Sequence, residues 1–188
     1  MKLQIIALVA LGLVATSHRA VAQGQDQFAF GIAGGVAIPV DNLKLHHTNG
    51  VNGTGSLAIG AVDSPVGIRF DLMYNTFGDR VGGTATTDQG KARILALTGN
   101  AVFSIYGQAT RLYTIVGAGG YSYQPDGAGT EDETGFGLNA GFGLWIPRVS
   151  GFVEARFHNA YRMLPDQTDA TKRRRSAQFF PITFGVLF

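Results

Sequence analysis

The sequence predicts an all-β chain, an eight-stranded antiparallel up-and-down transmembrane β-barrel, preceded by a cleavable signal peptide. Three observations carry this. Successive segments of about a dozen residues alternate large apolar side chains with small or polar ones. Long polar loops take turns with short turns between those segments. An apolar leader stands ahead of the first segment, and no later stretch has the length of a membrane-spanning helix.

The leader consists of Lys2, an apolar run from Leu3 to Val14, and Ala20-Val21-Ala22, the small-x-small form of a signal peptidase site. The run is too short to span a bilayer as a helix. This divides the chain into a signal peptide, residues 1–22, and a barrel, residues 23–188. Loss of Lys2 and Arg19 takes the 15 basic residues to 13, against 13 acidic ones, so the mature chain is formally neutral and no nucleic-acid partner is expected. The absence of cysteine excludes a lipoprotein anchor, a thiolate metal site and a disulfide framework. With 27 glycines and only 15% charged residues, the 188-residue chain departs from soluble globular composition.

After a polar lead-in, Phe28 to Pro39 sets Phe28, Phe30, Ile32, Val36 and Ile38 on one face and Ala29, Gly31, Ala33, Gly35 and Ala37 on the other. Bulky outside and tiny inside inverts a soluble ligand-binding barrel, which keeps its large apolar groups in the lumen. Val40 to Gly53 lacks a period and reads as the first long loop. The second strand, Thr54 to Val62, turns at Asp63-Ser64-Pro65 into the third, Val66 to Phe77. The third strand fixes the facing. Val66, Ile68, Phe70, Leu72 and Tyr74 point outward, because the opposite choice would place Arg69 on lipid at about 2–4 kcal/mol near the midplane. Arg69 and Asp71 therefore face the lumen.

A second long loop, Gly78 to Gly90, precedes the fourth strand, Lys91 to about Ile105, with Asn100 inward. The fifth strand, Arg111 to Tyr123, is expected to show Tyr113, Ile115, Tyr121 and Tyr123 outward, leaving Leu112 and Val116 inside. Gln124 to Glu133 is a third, acidic loop. The sixth strand, Thr134 to Ile146, puts Phe136, Leu138, Phe142 and Leu144 outside and Asn139 among inward glycines; the seventh, Gly151 to Tyr161, turns Glu154, Arg156 and His158 inward. A fourth long loop, Arg162 to Ser176, leads to the last strand. There Gln178, Phe180, Ile182, Phe184, Val186 and Phe188 alternate with Phe179, Pro181, Thr183, Gly185 and Leu187.

Strand number, inward glycine, outward aromatics and the terminal Phe together resemble the small outer-membrane β-barrel family of the OmpA-transmembrane-domain, OmpX and OmpW type. The resemblance implies an outer-membrane location and a last strand recognised by the barrel assembly machinery through Phe184 and Phe188. Outer-membrane lipid and lipopolysaccharide are the other implied partners, with a monomeric barrel and no cofactor.

Chemistry on such a barrel is expected to be absent. Lipid A deacylases resemble this fold and set a His and a Ser two residues apart, but residue 160, two beyond His158, is Ala. His46-His47 reads as a pair of solvated loop residues, without the third ligand a metal needs. The glycines of Val116 to Gly120 sit in a strand and form no nucleotide loop. Tyr74, Tyr113, Tyr121, Tyr123 and Trp145 read as interfacial aromatics or rim packing. The chain is thus expected to be a closed anchor displaying its loops, with a narrow solute channel as the alternative. Eight strands leave an interior that side chains just fill, although inward glycines return space. Arg69, Asp71, Glu154, Arg156 and His158 are expected to form a self-neutralising network across the lumen. At the outer rim, Lys172, Arg173, Arg174 and Arg175 are expected to face lipopolysaccharide phosphates beside Lys44, His46 and His47.

Overall fold

The computed structural model describes residues 28–60, 65–79, 90–105, 110–126, 132–165 and 174–188. The 1–22 leader, the turn at Asp63-Ser64, and Lys172 and Arg173 lie outside the described residues. The strands are β1 (Phe28–Val40), β2 (His47–Thr48), β3 (Gly50–Ile59), β4 (Val66–Asp79), β5 (Ala92–Ile105), β6 (Arg111–Pro125), β7 (Glu133–Ile146), β8 (Gly151–Pro165) and β9 (Arg174–Leu187), with one short helix, α1 (Asp41–His46). β2 hangs on the outer end of β4; the other strands form a ring in the order β4-β3-β1-β9-β8-β7-β6-β5, closed by pairing of β5 with β4. Every pairing is antiparallel. Closure leaves no sheet edge, the condition for strands to cross a bilayer. At the seam, Phe30 and Phe188 exchange backbone hydrogen bonds of 2.9 and 2.8 Å.

The exterior is apolar. Phe28, Phe30, Ile32 and Val36 of β1, Val66 to Tyr74 at every second residue of β4, Leu95, Leu97 and Phe103 of β5, Phe136, Leu138, Phe142 and Leu144 of β7, Phe184 of β9 and Phe188 just beyond it are all exposed. On a soluble protein this much contiguous apolar surface would aggregate; on a membrane barrel it is the lipid-facing belt, about 25 Å tall. Outward glycines interrupt it at Gly53, Gly55 and Gly120, where an added Cβ would meet nothing within 4 Å.

Inward glycines are a different matter. A Cβ at Gly137 would lie 2.6 Å from the Tyr121 ring, at Gly185 2.5 Å from the Phe152 ring, and at Gly141 2.5 Å from Arg156 Cγ; Gly143 lies under Tyr113 and Gly117 under Asn100 in the same way. The space that inner glycine was expected to leave open is occupied by large side chains leaning in from neighbouring strands. Glycine is what lets an eight-stranded lumen hold tyrosine and arginine together.

Three sequence expectations are corrected. The stretch 40–53 is not one loop: α1 occupies 41–46, and β3 begins at Gly50. Its inner side chains there are Asn52 and Thr54 and its outer ones Val51, Gly53 and Gly55, so the alternation is present but carries little hydropathy contrast. β6 is turned over relative to expectation. Tyr113, Ile115, Tyr121 and Tyr123 are buried in the lumen, while Leu112 and Val116 are exposed. Each of these three tyrosines finds a hydrogen-bond partner inside, which lipid could not supply. Finally β8 and β9 run on to Pro165 and back to Arg174, with a register shift between Ala160 and Leu164 around Arg162, whose φ is 60°. Tyr74 faces outward as expected, and Trp145 packs partly buried against Val102, Tyr113 and Ile115 at the turn end.

The glycine sockets yield the first prediction. Gly143→Val should cost about 1–3 kcal/mol by overpacking against Tyr113, whereas Gly120→Val on the lipid face should change stability by no more than about 0.5 kcal/mol. Urea unfolding of the refolded variants measures both, and equal losses would contradict the socket reading.

Candidate functional site: the lumen cluster and the outer mouth

Four steps around the ring separate β4 from β8, so their inward residues face each other across the lumen. Arg69 and Asp71 project from β4, Glu154 and Arg156 from β8, and none is more than 4% exposed. Arg69 Nη2 donates to both Glu154 oxygens at 2.8 and 2.7 Å. Its Nε lies 3.0 Å from Asp71 Oδ1. Arg156 donates from Nε to Glu154 Oε1 at 2.7 Å, and its Nη2 stands 2.6 Å from the same oxygen. Arg156 Nη1 is 2.9 Å from Asp71 Oδ2 but off the hydrogen-bonding direction, so this contact is one of charge alone.

Neighbours complete the set. Ser56 Oγ donates to Asp71 Oδ1 at 2.6 Å, Asn100 Nδ2 to Asp71 Oδ2 at 3.0 Å, and the Tyr113 hydroxyl to Glu154 Oε2 at 2.8 Å. Arg69 Cζ also sits 5.9 Å from the centroid of the Phe152 ring. Two cations and two anions cancel, and both carboxylates are held by neutral donors as well as by charge, the condition under which buried ions are tolerable.

His158 is brought to the same wall but not into the ion pairs. Its Nδ1 pairs with the Tyr121 hydroxyl at 2.9 Å, and its ring stacks on Phe179 at 4.8 Å with a 9° interplanar angle. It belongs to the layer above, where Phe77, Tyr121, Tyr123, Met163, Leu164 and Phe179 form one buried apolar cluster. Below the charges, at the turn end, Arg69, Tyr113, Trp145, Phe152 and Leu187 help to line a recess of about 40 Å³. The lumen is therefore layered into an apolar cap, a neutral charge layer and a small recess.

At the outer mouth α1 packs onto this apolar layer. Leu43 is fully buried among the cap residues, and Arg175 at the start of β9 donates to Asn42 Oδ1 at 3.3 Å. The basic segments of the first and fourth loops thus meet, as far as Arg175 is concerned. Lys172, Arg173 and the side chain of Arg174 lie outside the described residues. His47 is corrected: it is not a solvated loop residue but wholly buried, its Nε2 2.9 Å from the Tyr123 hydroxyl. Burial, with His46 beside it, lowers its pKa from 6.5 to about 4. His46 is also lowered, by burial first and then by Arg175. Among the described residues no group of three potential metal ligands converges. On the rim, Arg93 of β5 pairs with Asp126, just beyond the adjacent β6.

Sequence reasoning turned Arg69, Asp71, Glu154 and Arg156 toward one another but did not find Tyr113 and Ser56 as their partners. For Tyr113 a signal existed, since the inward phase of β6 also carries Gly117 and Gly119, matching the inward glycines of β7.

The fold is that of the small eight-stranded outer-membrane barrels. The chain is similar to the crystal structure of Neisserial surface protein A, with a TM-score of 0.55 at 16% identity over 88% of this chain and 100% of that one. It also resembles the N-terminal β-barrel domain of Pseudomonas aeruginosa OprF (TM-score 0.49, 15% identity, 86% of this chain, 98% of that one). A third likeness is to Ail, the attachment invasion locus protein of Yersinia pestis (TM-score 0.46, 16% identity, 86% of this chain, 96% of that one). No protein-family description and no curated protein sequence matches the chain.

Glu154 is the keystone of the charge layer, since it accepts from Arg69, Arg156 and Tyr113. Glu154→Gln should destabilise the barrel by about 3–5 kcal/mol, because two guanidiniums then share one carboxylate in a buried site. Arg69→Leu combined with Glu154→Leu should cost clearly less than the two single changes added together. A double-mutant cycle by urea unfolding in lipid vesicles measures this, and additivity would contradict the coupling.

Proposed function

We propose that the protein is a non-enzymatic outer-membrane anchor, closed to solutes, which works through the loops and rim it holds at the cell surface. The observation that carries this reading is the neutral cluster of Arg69, Asp71, Glu154 and Arg156 across the lumen. It is roofed by the Phe77–Phe179 layer, and both are seated over glycines. A channel would need those glycine sockets empty, and they are filled. Fully buried inside the barrel, His158 has no access to substrate at the membrane surface, which supports the non-enzymatic reading.

The test is electrical. Refolded protein in planar bilayers should show no steady conductance steps. Replacing Arg69 and Glu154 together with Ala removes two of the groups that bridge the lumen beneath the aromatic roof, and should lower thermal stability or introduce such steps; no change in either would contradict the plug. Steady conductance by the unaltered protein would overturn the closed reading.

The rim is the working surface in this proposal. Arg175, with residues 172–174 before it and Lys44 of α1 nearby, would contact lipopolysaccharide phosphates. The forked, permanently charged guanidinium suits phosphate, and a cluster of them at headgroup height concentrates the attraction. His47 has no part in that surface. The exposed aromatics Phe184 on the closing strand and Phe188 just beyond it fit a role as the signal read during barrel assembly, and in this proposal the chain acts as a monomer. Changing Lys172, Arg173, Arg174 and Arg175 to Gln should weaken lipopolysaccharide co-purification several-fold, and binding by the unaltered chain should fall as salt rises. Retention of full binding by the Gln variant would sink the rim assignment.

A further inference from the structure

We infer that α1 is an acid-released lid: a short strap that seals the outer mouth through Leu43 and His47 and lifts when the His47 imidazole takes up a proton. Its geometry is that of a latch with a loaded hinge. Asp41, the first residue of α1, is held at φ 47°, a left-handed conformation that is strained for a non-glycine residue. The rest of the strap sustains that strain through two buried anchors. Leu43 is buried in the cap cluster, and His47, at the far end of the strap, is buried against Tyr123. A further tie is the Arg175–Asn42 hydrogen bond at the surface.

The latch is sensitive to protons because of what surrounds the His47 ring. His46 of α1 stands edge-on to it at 6.4 Å, and Arg175 of β9 acts electrostatically on His46. From β6 the ring meets the neutral Tyr123 hydroxyl. On β4 the register partner of His47 is Asp79, the acidic group on that side. The carbonyls of Gly78 and Gly90 lie near enough to favour a proton, although Nδ1 makes no well-formed hydrogen bond. Burial and the neighbouring His46 outweigh those carbonyls, so the neutral ring belongs to the closed mouth. The ring lies above the lipid belt, since the apolar outer face of β4 ends at Tyr74 and His47 pairs with Asp79.

The sign is set by linkage. A ring that binds protons more weakly when the strap is closed stabilises closure fully above its free value of 6.5, and loses that contribution as pH falls towards about 4. His47 lies in β2, outside the eight-stranded ring, so acid should move α1 without unfolding the barrel.

Leu45 is the exposed reporter position on α1. A spin label or environment-sensitive fluorophore at Leu45→Cys, in the full refolded protein in lipid vesicles, should become markedly more mobile between pH 6.5 and 4. Far-UV circular dichroism should stay unchanged over the same range. In the His47→Gln background, which keeps a hydrogen-bonding group for Tyr123, that transition should vanish, whereas His46→Gln should shift it without removing it. Leu43→Ala should leave the label mobile at every pH while the barrel stays folded. An immobile label throughout the range, or the same transition in His47→Gln, would overturn the lid; loss of barrel circular dichroism with the label's release would replace it with simple acid unfolding.

Discussion

An eight-stranded barrel has to fill its own inside, and that constraint governs most of what is seen here. The wall fixes the lumen at a width that side chains can only just bridge. Within it, bulk on one strand is possible only where the neighbouring strand has none. The chain solves this by setting glycines on β6 and β7 beneath tyrosines, arginine and asparagine from the adjoining strands. Once those large polar groups are inside, they must be satisfied inside. The two arginines and two carboxylates, with Ser56, Asn100 and Tyr113, form the set that does so.

The exterior answers to the opposite condition. Lipid requires nothing of shape and forbids unpaired polarity, so the outer positions vary between phenylalanine and glycine with no cost in packing. Glycine therefore has two meanings in this molecule. Inside it is a socket, where a methyl group would collide; outside, at Gly53, Gly55 and Gly120, it is plain surface.

Much of this was legible in the residues. Period-two alternation identified the barrel strands, and the cost of Arg69 on lipid set the phase of β4, from which the meeting of Arg69 with Glu154 follows by strand count. Where reading failed, the contrast between faces was weak or misleading. On β6 the bulkier face is the inner one, because tyrosine is amphipathic and serves a wet rim or a polar lumen equally well. On β3 the first outward residues are Val51, Gly53 and Gly55, too little hydropathy to stand out from a loop. The burial of His47 depends on a fold-back through α1 and a tyrosine 76 residues away, a contact that no local pattern announces.

The layering of the lumen gives the two ends of the barrel different interiors. The recess beside Trp145 lies at the turn end, and aromatic rings with Leu43 fill the other. The lumen is therefore lopsided along the barrel axis: above the ion pairs lies a packed apolar layer, and below them a small hollow. A side chain enlarged on the turn side of the charges therefore has room to grow into, whereas one enlarged on the loop side has none.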